Sequence, residues 1–172
     1  KRSLSWSSIS SFEFDRLQWA RKYIDNIPQA PSAPMNFGKL VGERLASDPT
    51  FLPEVARLPI FEHKLEATVG EIDLIGYLDG FREKPMALIE YKTSSNKTKW
   101  TQKSAEEHGQ ILMYLGLLWK NYGVPPEEID CSLVYIPVEE TGSFDLRLSS
   151  EPIQTFTFKH TTLDVLKFSV HI

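Results

Sequence analysis

The sequence holds one cysteine, Cys131, in 172 residues. A lone thiol excludes a disulfide framework and any four-cysteine metal or iron–sulfur site within the chain. A reducing, intracellular setting is the natural expectation. Long apolar runs are missing too: nothing approaches the roughly 20 residues that span a bilayer. "KRSLSWSSIS" is basic at its start but leads into no apolar core, so it does not read as a secretory signal. No glycine-rich phosphate loop occurs, which argues against ATP hydrolysis and a nucleotide cofactor. His63, His108 and His160 form no pair at zinc-ligand spacing. A strong excess of either charge is missing as well, with 19 Lys and Arg against 23 Asp and Glu. A net charge of −4 argues mildly against non-specific coating of nucleic acid, while leaving room for a local basic patch.

What remains is an ordinary globular composition, with 41% hydrophobic and 24% charged residues. The length fits a single domain over 1–172. Capping-box spacing of Ser10 and Glu13, with apolar pairs Trp19–Tyr23 and Ala20–Ile24, predicts one helix over "SSFEFDRLQWARKYI". A proline-rich loop follows, then a helix in "MNFGKLVGERLA" with Phe37, Leu40, Val41 and Leu45 on one face. "SDPTFLPEVARLP" reads as irregular. The period then changes. "KLEATVG", "EIDLIGYLDGF" and "PMALIEYK" predict an antiparallel meander, with "GFREKP" as the loop joining the last two strands. A long helix is expected from about Gln102 to Tyr122, unbroken by Gly109 and Gly116. "CSLVYIPV", "FDLRLS" and "TFTFK" predict further strands, and "TTLDVLKFSVHI" a terminal helix. The order implies an α/β fold, a mixed sheet flanked by helices.

The stretch "ALIEYKTSSNK" is the informative one. Side chains alternate across a strand, so Glu90 and Lys92 share a face and Tyr91 takes the other. Asp79 ends the preceding strand, and a hairpin would set it beside Glu90. A surface ion pair is the bland explanation, and such pairs contribute little. But the strand is apolar enough to be internal, and two buried carboxylates repel without a cation. Hard oxygen ligands suit Mg²⁺ or Mn²⁺ rather than zinc. A lysine beside them can act on a water and on a phosphate where charge develops.

Asp79 followed by Glu90-Tyr91-Lys92 resembles the PD-(D/E)XK motif of the restriction-endonuclease-like nucleases, with Leu78 in place of the proline. Gln110 and Tyr114, in "HGQILMYLG", resemble the Gln-x-x-x-Tyr signature of the RecB-like exonuclease branch, and share a helix face at i, i+4. "LSWSSISSFEFDRLQWARKYI" is similar to the opening helix of RecB-like domains. It has Asp15-Arg16 where many relatives have Cys-Pro, so the iron–sulfur variant is not implied.

The resemblance implies a restriction-endonuclease-like core and a Mg²⁺- or Mn²⁺-dependent DNA exonuclease acting in repair, recombination or phage DNA processing. Asp79, Glu90 and the Tyr91 carbonyl would ligate the metal. Lys92 would serve the water and the phosphate, with Gln110 and Tyr114 positioning it. The family also places a ligand on an early helix after a glycine, where Glu43 is the candidate. Its spacing from Gly38 is one residue longer than usual, which sets Gly42 at the usual position. Lys97, Lys99, Trp100 and Lys103 are either a solvated loop or an arm that tracks phosphate and stacks a base. DNA is the expected partner, with protein partners or a homo-oligomer open. A binding module without catalysis and an RNA nuclease are the rival readings.

Overall fold

The computed structural model describes residues 3–141 and 145–170. Phe144 of the expected "FDLRLS" strand and the last two residues of the expected terminal helix lie outside them, as do Lys1 and Arg2. The chain runs α1 (Trp6–Phe14), α2 (Arg16–Tyr23), α3 (Ala33–Ser47), β1 (Ile60–Val69), β2 (Ile72–Arg82) and β3 (Ala87–Ser94). Then come α4 (Gln102–Glu106), α5 (Gly109–Tyr122), a 3₁₀ turn (Pro126–Glu128), β4 (Asp130–Glu140), β5 (Leu146–Leu148), β6 (Gln154–Phe158) and α6 (Thr162–Ser169).

The six strands form one sheet in the order β1-β2-β3-β4-β5, with β6 also pairing β4. The expected meander is there: β1–β2 and β2–β3 are antiparallel. β3 and β4 are parallel, Ala87 facing Asp130 through to Ser94 facing Pro137. A parallel pair needs a crossover, and α4 and α5 make it.

Each face of the sheet carries its own core. On one side Ile111, Leu115 and Leu118 of α5 pack on Leu65, Leu78, Leu88 and Leu133. On the other, Val41 and Leu45 of α3 and the loop residues Val55 and Leu58 pack on Ala87, Ile89, Val134 and Ile136. β3 is therefore an internal strand covered on both faces, as its apolar run demands. Among the described residues no helix is long and apolar enough to cross a membrane.

Two expected helices are each divided. The first breaks at Asp15, which adopts an extended conformation (φ −152°) and accepts hydrogen bonds from the amides of Leu17 and Gln18. An aspartate can stop one helix and cap the next, so α1 starts from Ser5 and α2 from Asp15, rather than one helix from Ser10. The second breaks at Glu107–His108. Gly109 then opens α5 against the Trp6 ring, which a Cβ there would strike. On α3, Val41 and Leu45 are buried and Phe37 packs against them, whereas Leu40 turns outward.

Candidate active site

The ladder between β2 and β3 runs from Arg82–Ala87 to Gly80–Ile89 and stops there. The next step would pair Asp79 with Glu90. Instead the strands part, and the Tyr91 amide donates to Asp79 Oδ2 at 2.8 Å. A side chain thus replaces a lost ladder bond, and the gap between the strands is where the charged groups collect.

Glu90 is deeply buried, its side chain 3% exposed. Lys92 Nζ donates to Glu90 Oε1 at 2.6 Å. Glu90 Oε2 is buried with no partner. Lys92 Nζ also donates to Gln110 Oε1 at 2.7 Å, and Gln110 Nε2 donates to Tyr114 Oη at 2.7 Å. Tyr114 in turn donates to the Tyr77 carbonyl on β2 at 2.8 Å. The structure therefore brings Asp79, Glu90, Lys92, Gln110 and Tyr114 together as the spacing predicts. α5 lies over this face of the sheet closely because residue 76 is glycine: a Cβ there would sit 2.7 Å from the Tyr114 ring.

Electrostatics single out the same carboxylates. Burial, and then the neighbouring Glu90 charge, push the Asp79 carboxyl up to about 8, against the pull of the Tyr91 amide and Lys92. Burial likewise raises Glu90, although Lys92 opposes it. Two carboxyls that resist ionisation side by side, one with an orphaned oxygen, form a donor set that fits a hard divalent cation. Asp79 and Glu90 would hold it, with the Tyr91 carbonyl between strand and site. Among the described residues no three His, Cys, Asp or Glu side chains converge as a complete metal cage, so water or phosphate oxygens would complete an octahedron, as Mg²⁺ prefers.

Two hollows meet at Lys92, the residue they share. The first, of about 980 Å³, is walled by α3 (Met35, Gly38, Gly42, Glu43) and holds Glu62, Asp79 and Glu90. The second, of about 570 Å³, is lined by Ser5, Ser7 and Ser10, by Tyr77, Lys99 and His108, and by Gln110 and Tyr114. Burial depresses His108 to about 4 with Lys92 adding to the effect, so it stays neutral at neutral pH.

The flanking expectations fare differently. Glu43 does line the first hollow, but its side chain is 61% exposed and pairs with Lys39 at 3.8 Å. Lys97 is paired with Glu151 at 2.5 Å and Lys103 with Glu107 at 3.8 Å. Trp100 is not a solvated loop residue: it lines the second hollow, is 8% exposed and meets His108 edge-on with centroids 5.2 Å apart. Two residues at the site went unread. Glu62 lies on the part of β1 that precedes the expected strand; the Ile60-Phe61 pair was the signal. The carbonyl of Tyr77, which ends the relay, leaves no mark in a sequence.

A family model for the PD-(D/E)XK nuclease superfamily matches residues 42–165, well over half of the chain. The chain belongs to the PD-(D/E)XK nuclease superfamily. Asp79, Glu90 and Lys92 all fall within the matched span. Among solved structures, the protein SSO0001 superposes with a TM-score of 0.52 at 16% identity, over 99% of this chain and 74% of its own length. A phage-related exonuclease from Haemophilus somnus 129PT gives a TM-score of 0.53 at 13% identity, over 96% and 75%. At such identities the likeness is one of fold, and it is the mixed α/β fold of a PD-(D/E)XK nuclease. No curated protein sequence matches.

Proposed function

We propose that this PD-(D/E)XK chain is a Mg²⁺- or Mn²⁺-dependent DNA nuclease of the RecB-like kind, working from strand ends. The observation that carries the reading is the partnerless, buried Glu90 Oε2 beside Asp79 and Lys92. A binding module has no use for a buried carboxylate oxygen left without a hydrogen bond, which costs about 1–3 kcal/mol or more for a charged group. An exonuclease-named structural neighbour points the same way.

Asp79, Glu90 and the Tyr91 carbonyl would hold the metal, which would supply positive charge at the scissile phosphate and acidify a nearby water. Lys92, fixed by Glu90 and Gln110, directs its charge at the attacking water and at the phosphate oxygens, where negative charge grows in the transition state. Water oxygen bonds to phosphorus as the water gives up a proton to solvent, the phosphodiester P–O bond breaks, and the leaving oxygen takes up a proton from solvent. Gln110 and Tyr114 orient Lys92 from α5. Lys99, on the serine-lined hollow, suits a phosphate further along the strand. Lys97 and Lys103 sit in exposed pairs that a phosphate can displace, since such pairs are worth only about 0–1 kcal/mol.

The test is digestion of end-labelled linear and closed circular DNA, single- and double-stranded, and of RNA, with Mg²⁺, Mn²⁺ or chelator. Metal-dependent release of labelled nucleotides from linear DNA is expected, with circles left intact. Nicking of closed circles would replace the exonuclease reading with an endonuclease. Faster digestion of RNA would replace the substrate. No cleavage of any substrate would remove the enzyme reading.

A further inference from the structure

The alternation of β1 slips between Phe61 and His63. Phe61 packs into the core on the α3 side. His63, two residues on, should share that face, yet it stacks on Phe81 of the α5-side core with centroids 4.4 Å apart. β2 slips at the matching place. Leu78 belongs to the α5-side core, but a Cβ on Gly80 would meet Ile89 and Leu58 on the α3 side. The register runs Phe61–Gly80 and His63–Leu78, so the residues passed over are Glu62 and Asp79, standing opposite each other. Carried one step past Gly80–Ile89, the β2–β3 register brings in Glu90. Three carboxylate-bearing residues from three adjacent strands therefore gather where the pairing opens, along a hollow that all three line.

Glu62 also has a left-handed backbone, φ 52°. That conformation costs a side-chain-bearing residue roughly 1–2 kcal/mol, and strain of this kind gathers at functional sites. Among the described residues its carboxylate has no hydrogen bond or ion pair, and its charge opposes ionisation of both Asp79 and Glu90. The neighbouring orphan, Glu90 Oε2, lacks a partner while its side chain is almost wholly buried. On α3, Gly42 leaves open space where a helix side chain would project, and Glu43, at the exposed rim of the hollow, pairs with Lys39.

We infer that Glu62, from β1, supplies the third carboxylate to the divalent cation held by Asp79 and Glu90, in the role the sequence gives to Glu43. The inference rests on the metal-dependent reading above. Glu62 is exposed and, among the described residues, unpaired, so its side chain is free to turn toward the hollow it lines. A third anionic oxygen raises affinity through ligand charge count. Without metal, the same charge only adds repulsion.

The test is calorimetric Mn²⁺ titration of the full chain, with melting curves in chelator, for wild type, Glu62→Gln, Glu43→Gln, Asp79→Asn and a strand control, Glu66→Gln. Glu62→Gln is expected to weaken Mn²⁺ binding about tenfold or more and to melt higher than wild type without metal. Glu66→Gln should bind as wild type does. Wild-type affinity in Glu62→Gln, with binding lost in Asp79→Asn, overturns the inference and leaves the metal reading standing. Weakening by Glu43→Gln alone returns the third ligand to α3. If Asp79→Asn binds Mn²⁺ as wild type does, the metal reading itself falls, and the inference with it.

Discussion

Among the described residues Lys92 is the one cation paired with Glu90, and its amine spans 2.6 Å to Glu90 and 2.7 Å to Gln110. Held from two sides, it is a preorganised charge at the junction of the two hollows. Lys92→Ala is expected to lower single-turnover cleavage at saturating Mn²⁺ by about 10²–10³, with DNA binding in Ca²⁺ nearly intact. Gln110→Ala and Tyr114→Phe should lose less, because they act through Lys92. Cleavage by Lys92→Ala at the wild-type rate would detach this lysine from the chemistry. The Glu-x-Lys triplet was legible because its chemistry conflicts with its surroundings: two opposite charges on a strand too apolar to lie at the surface. The Ile60-Phe61 pair signals that β1 starts early enough to include Glu62, but nothing local announces the slipped pleat that sets it beside Asp79.

At the scale of elements, α5 and β2 touch where residue 76 has no side chain. Gly76→Ala would press a methyl group onto the Tyr114 ring. Overpacking of this sort costs about 1–3 kcal/mol, and here the displaced ring carries the hydroxyl that holds Gln110. Gly76→Ala is expected both to lower the urea midpoint and to slow cleavage, whereas Gly116→Ala, whose Cβ would meet Val165 at an ordinary 3.4 Å, should do little to cleavage. Equal activity in the two variants would show that the relay tolerates a shift of α5. The meander, the strand after α5 and the terminal helix follow from period and turn signals, whereas the parallel pairing of that strand with β3 emerges only in the fold. The divided helices do not. Asp15 looks like any exposed helix residue until its neighbours' amides need an acceptor. Gly109 looks like a weak point until the Trp6 ring lies across it. Trp100 reads as a binding aromatic in a lysine-rich loop, and only the folded chain buries it.

For the molecule as a whole, Asp79 links stability to pH. Its folded pKa of about 8 lies above the roughly 3.9 of an unfolded aspartate. Between these values the folded chain keeps a proton that the unfolded chain has lost. Its contribution is complete below the unfolded value and is lost as the pH climbs toward 8. Without metal, urea-derived stability is expected to fall from about pH 4 to about pH 8, and Asp79→Asn should flatten the decline. Saturating Mn²⁺ should reverse it, because the cation displaces that proton. An unchanged slope in Asp79→Asn would mean that the carboxyl is ionised throughout. The mixed sheet flanked by helices was legible from element order. The coupling was not, because it depends on two strands separating one residue early.

The chain of hydrogen bonds from Lys92 to β2 runs in one direction only. The Tyr114 hydroxyl has a single hydrogen and gives it to the Tyr77 carbonyl, so toward Gln110 it can only receive. Gln110 must therefore turn its NH₂ to the tyrosine and its oxygen to Lys92. The amide is barred from the flipped arrangement, which would aim N–H groups at the ammonium. Of the three hydrogens on the Lys92 amine, one goes to Glu90 and one to Gln110. One is left over, and an incoming oxygen is what it has to meet.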